Sequence, residues 1–174
     1  RAIAFIETNK AVPFFMTVAF NLPHYPMQPL EKFKEAYPEM AMPRQAYARM
    51  ISSVNDHIGR VLDHLRANGQ LDNTLVIFMS DNGADGGNPL DFGGADWYRW
   101  ADKERDMRFD QMGRPGSHVW YGPQWAHVSN TPFRLGKGFA TEGGTRVPFL
   151  IRWPGKIKPG KSDAMVSQVD MLAS

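Results

Sequence analysis

The 174-residue chain contains no cysteine. That absence removes disulfides, thiolate metal sites and a cysteine nucleophile from this stretch, and it leaves the compartment open. Net charge is small: 20 Lys and Arg stand against 18 Asp and Glu, a formal +2. No global attraction to nucleic acid or to an anionic membrane surface is encoded. No apolar run approaches the roughly 18–20 residues of a membrane span. No secretory leader pattern opens the chain, which begins Arg1-Ala2-Ile3 as if inside a longer protein. It ends in an apolar-periodic stretch, Val169-Asp170-Met171-Leu172-Ala173-Ser174, without a cap or polar tail. These ends lead us to expect a fragment of a single domain, cut on both sides. Hydrophobic residues make up 43% and charged residues 22%, enough apolar content to exclude disorder for the chain as a whole and to build a core.

The most informative short run is Leu75-Val76-Ile77-Phe78-Met79-Ser80-Asp81-Asn82-Gly83. Five apolar residues bounded by turn residues predict a strand buried on both faces, as in a sheet covered by helices. Ligands of open α/β sheets sit beyond the carboxyl ends of strands, where Asp81 and Asn82 stand. A carboxylate and an amide oxygen are hard donors suited to Ca²⁺ or Mg²⁺. The same residues also suit an ordinary turn.

Upstream, residues 1–10 predict the end of a helix, with Ile3 and Ile6 on one side and Asn9-Lys10 as a polar stop. Pro13 to Phe20 predicts a second buried strand. It leads into Asn21-Leu22-Pro23-His24-Tyr25-Pro26, where two prolines hold His24 in a stiff loop. Residues 27–42 read as a surface crossing. Met50, Val54, Ile58, Val61, Leu62 and Leu65 then recur at spacings of three and four, predicting one amphipathic helix opened by Pro43 and stopped by Asn68-Gly69. Asp56, His57, Arg60, Asp63 and Arg66 fall mostly on its solvated face.

Residues 84–136 show no obvious buried strand. They carry Gly86-Gly87, Gly93-Gly94, Pro89, Pro115 and Pro123, with Trp97, Trp100, Trp120 and Trp125. A stretch this long is either functional or carries small elements of its own. The tryptophans suit a sugar or aryl platform, or a satellite cluster packing the loop down. His118 and His127 fall here without a role. In Thr131 to Pro148, glycines 136, 138, 143 and 144 allow close backbone approach. Lys137 between two of them suits a compact charge aimed at an anion, as well as plain solvation. Glu142 and Arg146 suit an ion pair bracing the loop. Val147 to Trp153 predicts a strand, and Asp163 to Ala173 starts a strand or helix.

Three blocks stand together: Pro23-His24-Tyr25-Pro26, Ser80-Asp81-Asn82-Gly83, and Lys137-Gly138-Phe139-Ala140-Thr141-Glu142-Gly143-Gly144-Thr145-Arg146-Val147-Pro148. Their order and spacing resemble the second part of a type I sulfatase, in the alkaline phosphatase superfamily. The last block is the most specific. Trp153-Pro154-Gly155 and Ser167-Gln168-Val169-Asp170 also fit the arylsulfatase pattern, and the bacterial-type arylsulfatases are the group most resembled.

The resemblance implies an α/β fold, a mixed β-sheet sandwiched between helices, present here as a partial domain with a loop-rich, substrate-side insertion at about 84–136. It implies that Asp81 and Asn82 are two ligands of one divalent cation, usually Ca²⁺, with Mg²⁺ the other candidate. Lys137 and His24 would hold the sulfate oxygens and act in catalysis, His24 helping to protonate the leaving oxygen. The family's nucleophile is a formylglycine hydrate made from Cys or Ser in a C/S-x-P-x-R motif. That motif is absent, as are the family's early aspartate pair and its second lysine and histidine. All belong to the family's N-terminal part, so this stretch alone is expected not to turn over substrate. The implied activity is sulfuric ester hydrolysis, on a small-molecule or carbohydrate sulfate ester, in a periplasmic or secreted setting. The chemistry is coherent: a cation and a lysine neutralise nonbridging oxygens, and a histidine supplies the leaving group's proton.

Two other readings stand beside it. One is a phosphatase, phosphodiesterase or phosphonate hydrolase of the same superfamily. Those commonly carry Asp-His where this chain has Asp81-Asn82, because a second metal needs the imidazole. The other is a non-catalytic glycan-binding module built on the tryptophan-rich loop.

Overall fold

The computed structural model describes residues 1–87 and 89–172, with the side chains of 89–95, 98 and 172 left aside. Seven regular elements run in order: α1 (Ala2–Asn9), α2 (Arg44–Ala67), β1 (Val76–Met79), α3 (Pro89–Glu104), α4 (Gly122–Asn130), α5 (Glu142–Thr145) and β2 (Phe149–Arg152). Short 3₁₀ turns lie between and after them.

Helix α2 is the spine. Its apolar face serves two cores. The N-terminal half packs Ala46 and Met50 with Met27, Met112, Val119, Tyr121 and Ala126. The C-terminal half packs Leu65 with Ile6 of α1 and Leu71, flanked by Val61, Leu62 and Val76. The spacing of three and four seen in the sequence is therefore the spacing of real contacts. The helix stops as its sequence demands: Gly69 takes φ +69°, its N–H donates to Arg66 O, and Gln70 N–H donates to Leu65 O at 2.8 Å. That pair of bonds is a Schellman end, which only a residue tolerant of the left-handed region forms cheaply.

Strands β1 and β2 pair antiparallel, with Val76 opposite Arg152 and Met79 opposite Phe149. Arg152 closes the ribbon's end by donating to Leu71 O and Asp72 Oδ1. The ribbon is not the doubly buried strand the sequence predicts. Ile77 is 38% exposed, Phe78 42% and Leu150 60%. The physical reason is that no helix layer covers these side chains among the described residues.

The predicted strand at Pro13–Phe20 is a second departure. The segment joins no ladder, and Phe15 is 79% exposed. A strand is defined by its neighbour, and the described residues provide none here. Only Phe14 and Met16 reach inward, onto the Ile6–Leu65 core. Near the end of the chain, the expected strand or helix at 163–173 is a 3₁₀ turn over Gln168–Leu172, with Met165 fully exposed. Ala173 and Ser174 lie outside the described residues. The stretch 84–136 carries elements of its own, α3 and α4, one of the two alternatives its length allows. Asn88 within it also lies outside the described residues.

Helix α1 docks on α2 through Ile6, fully buried, and through Glu7, whose carboxylate accepts from Asn68 at 2.8 Å and meets His64 Nε2 at 2.7 Å. The Asn68 amide first, and Lys10 next, hold the Glu7 carboxyl at about 2 rather than the ordinary 4.5. Such a depressed acid stabilises the fold above its ordinary pKa and loses that contribution as pH falls toward the folded value. Because Glu7 is solvent-facing, the effect is small. We expect Glu7→Gln to lower the melting temperature slightly at neutral pH, with wild-type and variant curves converging as the pH approaches about 2. Parallel curves across that range would remove Glu7 from the α1–α2 contact.

Candidate active site

The site is built by two loops that share their backbones. One follows β1, residues 80–87. The other precedes β2, residues 131–148. Ser80 N–H donates to Pro148 O at 3.3 Å, Gly83 N–H to Gly144 O at 3.0 Å, and Lys137 N–H to Ala84 O at 3.1 Å. Asn130, at the end of α4, clasps both: its Oδ1 accepts from Ala84 N–H at 2.9 Å and its Nδ2 donates to Leu135 O at 2.8 Å. Glycine is required by the closeness of this approach. A Cβ on Gly83 would stand 1.7 Å from Gly143 O, and one on Gly144 would stand 2.0 Å from Phe139 O. Glu142 and Arg146 do pair, at 3.5 Å, and Arg146 lies over the Phe133 ring.

This lacing carries Lys137 to His24. Lys137 Nζ stands 3.1 Å from His24 Nε2, although the two residues are 113 positions apart. His24 lies in the Asn21–Pro26 loop, which Met27 N–H anchors to Val119 O at 2.9 Å. Its Nδ1 is 2.8 Å from Tyr25 O. A carbonyl only accepts, so Nδ1 carries the proton. An ammonium only donates, so Nε2 presents its lone pair to Lys137. The hydrogen-bond network thus assigns the tautomer.

A third group completes the cluster and has no signal in the sequence beyond its charge. Asp85 Oδ2 is 3.1 Å from Lys137 Nζ and 3.7 Å from His24 Nε2. Its Oδ1 accepts from Gly87 N–H at 3.1 Å. With its side chain 18% exposed, Asp85 is the most sheltered of the three. In the sequence it reads as one more residue of a Gly-rich loop; only the fold shows that it pairs with Lys137 and lies beside His24. Its charge reaches further: burial first, and then Asp85, raise the Tyr25 phenol above its ordinary pKa.

Asp81 and Asn82 sit at the start of the same loop, three and two residues before Ala84. The Asp81 carboxylate is exposed and makes no hydrogen bond or ion pair with other described residues; its backbone carbonyl accepts from Gln168 at 2.8 Å. Asn82 donates its amide N–H to Gly83 O at 2.9 Å, which leaves the amide oxygen open. Among the described residues, no group of three or more His, Asp or Glu side chains is placed to hold a metal ion. The structure therefore joins His24 to Lys137, adds Asp85, and leaves Asp81 and Asn82 as two oxygen donors on the adjoining turn.

His118, unassigned by sequence, lies behind Tyr25. The two rings meet edge-on at 5.6 Å, and Trp97 meets the other side of His118 at 5.3 Å. Burial, and then the charge of Arg105 and that of His24 when protonated, hold the His118 pKa below its ordinary value. His127 is exposed on α4.

Comparison with known proteins gives the class first. Over 88% of its length the chain superposes on Ps i-CgsB, crystallised in complex with k-i-k-neocarrahexaose, with a TM-score of 0.60 at 30% identity, covering 26% of that protein. The fold is thus the alkaline-phosphatase-like α/β fold, of which this chain supplies a part. A family model described as Sulfatase matches residues 1–174, and the chain belongs to that family. An uncharacterized sulfatase of Schizosaccharomyces pombe is 45% identical over 129 residues, 74% of this chain and 23% of that protein. An arylsulfatase of Klebsiella aerogenes is 37% identical over 126 residues, 72% of this chain and 26% of that protein. The chain spans about a quarter of the length of these curated relatives.

The clasp by Asn130 gives a test of the site's construction. Asn130→Ala leaves Ala84 N–H and Leu135 O without their side-chain partner, a cost of about 1–3 kcal/mol. We expect a lower denaturation midpoint and, in the full-length protein, a loss of turnover larger than the midpoint shift explains. Unchanged turnover would mean that Lys137 is held by other contacts.

Proposed function

We propose that the full protein hydrolyses sulfate esters, and that this chain contributes the part of its active site that grips the sulfate. The observation that carries this reading is the 3.1 Å approach of Lys137 Nζ to His24 Nε2 at the junction of three loops. Loops do not bring an ammonium and an imidazole lone pair together for stability, since a solvated lysine gains little there. An anion with several oxygens gives that arrangement a purpose. Sulfatase family membership supports the choice of anion.

Asp81 and Asn82 fit a hard cation. One offers an unpaired carboxylate and the other an amide oxygen. Ca²⁺ takes about six to eight oxygens, so these two supply a share, and the remainder would come from other parts of the protein, substrate or water. Mg²⁺ is the alternative with the same donor chemistry. When bound, the cation would neutralise charge on the nonbridging oxygens. The nucleophile in this proposal, a formylglycine hydrate, comes from upstream sequence.

The residues of this chain then have separate tasks. Lys137 binds a sulfate oxygen as a point charge. Asp85 holds the lysine stem at the site before substrate arrives. His24, with Nδ1 fixed on Tyr25 O, can exchange a proton only through Nε2. Once the anion engages Lys137, the freed Nε2 lone pair can take up a proton from water, and the imidazolium so formed gives that proton to the leaving oxygen as the S–O bond breaks. Asn82, in the place of the histidine that a second metal would need, favours one metal and sulfate over a two-metal phosphatase. The substrate class is a sulfated carbohydrate or aryl sulfate. The oligosaccharide bound to Ps i-CgsB supports the carbohydrate.

Two results are expected from the full-length enzyme. Lys137→Ala should lower kcat/KM for nitrophenyl sulfate by roughly 10²–10³-fold; near-wild-type turnover would remove Lys137 from the site. Asp81→Ala should abolish both the bound divalent cation, measured by elemental analysis, and activity. Two tightly held zinc ions per wild-type molecule would instead favour the phosphatase reading.

A further inference from the structure

The Lys137 ammonium has three N–H donors. Asp85 Oδ2 stands 3.1 Å from it and His24 Nε2 also 3.1 Å, so two donors are engaged within the cluster and one is left for a bound anion. The Asp85 carboxylate thus lines the same spot as the two side chains that would grip the sulfate, and it lies 3.7 Å from His24 Nε2 as well. A negative charge so close to a bound anion repels it. Its place in an anion site calls for a reason beyond bracing the lysine.

Asp85 is held on both sides along the chain. Ala84 N–H donates to Asn130 Oδ1, and Ala84 O accepts from Lys137 N–H. Gly86 lies against α4, where an added Cβ would stand 2.9 Å from Ala126 Cβ and 3.1 Å from Pro123 Cα. The second carboxylate oxygen, Oδ1, accepts from Gly87 N–H at 3.1 Å. A short side chain on a pinned backbone keeps its charge beside Lys137 when the anion arrives. With His24 neutral, the positive Lys137 and the negative Asp85 then cancel. With His24 protonated for its catalytic step, the cluster carries a single positive charge. A sulfate monoester carries a single negative charge, whereas a phosphate monoester carries close to two at neutral pH. Inorganic sulfate, the product, also carries two.

We infer that Asp85 is a specificity-determining residue that makes this site choose singly over doubly charged anions. The inference rests on the sulfate ester reading above and names what the site rejects: dianionic phosphate esters and the enzyme's own inorganic product. Each added charge on the ligand meets the carboxylate at close range, so the second is penalised as the first is. A placed like charge rejects the wrong ligand where attraction alone would hold both. Hydrolysis converts the monoanionic ester and water into an alcohol, a sulfate dianion and a proton, so the same repulsion favours departure of the product.

The test uses the full-length enzyme turning over nitrophenyl sulfate, with benzenesulfonate and phenylphosphonate as competitors. Both have the same ring and a three-oxygen head, and they differ by one charge when the phosphonate is fully ionised. The readout is the ratio of their inhibition constants, in which contacts common to both cancel. Asp85→Asn keeps the shape and an oxygen for Lys137 but removes the charge. It should shift the ratio toward the phosphonate by about tenfold, the effect of one nearby unit charge discounted for partial exposure to solvent. Inorganic sulfate should tighten by a similar factor relative to benzenesulfonate. Asp85→Glu, which keeps the charge, should stay within about threefold of the wild-type ratio. A melting curve checks each fold, and Asp85→Ser is a second neutral variant that should move the ratio as Asp85→Asn does. Inhibition constants that change by equal factors overturn the proposal and leave Asp85 as a brace for Lys137. A shift toward the sulfonate overturns it too, as does Asp85→Glu behaving like Asp85→Asn. Wild-type enzyme that hydrolyses no sulfate ester overturns the hydrolase reading itself, and the charge selection falls with it.

Discussion

The backbone lacing between residues 80–84 and 135–148 is the constraint on which the rest depends. Each bond in it joins a residue of one loop to a residue of the other, and each is a main-chain contact that no side chain can replace. Glycines 83, 136, 143 and 144 are needed because carbonyl oxygens occupy the space a Cβ would take. The two loops are effectively one body, so the position of Lys137 is set by the end of β1 as much as by its own segment. Asp85 adds the electrostatic half of the same arrangement. It holds an ammonium beside an imidazole lone pair, a geometry with a small reward in solvent and a large one in front of an oxyanion.

Helix α2 explains why the loops meet where they do. The two halves of its apolar face fix the His24 loop from one end, through Met27 and Met50, and β1 from the other, through Leu65 and Val76. The ribbon of β1 and β2 is in contrast thinly covered. Its stability comes from cross-strand pairing and from Arg152 at its end, with only part of the apolar burial its composition would allow.

Reading the sequence was most effective where pattern and chemistry coincide. The period of α2 and its Asn68-Gly69 stop were visible because buried contacts and the left-handed end both demand particular residues. His24 and Lys137 were visible as motif positions, although nothing local says they touch. Asp85 was not, because a carboxylate in a Gly-rich loop has no local mark of its partners. The strand expected at Pro13–Phe20 failed for a different reason: its residues suit a sheet, but pairing is a property of two segments. Helix α3 was hidden by Gly93-Gly94 and Pro89. Each glycine costs a helix about 1 kcal/mol, whereas a proline in the first turn costs nothing. Trp97, through its contact with His118, shows α3 held by tertiary contact. For His118, only the fold reveals a ring nitrogen sealed from water without a partner.

The register of the ribbon carries a kinetic consequence. Met79 faces Phe149, and the span between them includes α3, α4 and the whole Lys137 loop. Closing so long a loop costs entropy before any ladder bond repays it, and such non-local pairings form slowly. Helices α1 and α2, whose contacts are nearer in sequence, can assemble first. The cluster of His24, Lys137 and Asp85 would then be among the last parts of the chain to reach register, well after the helical core has formed.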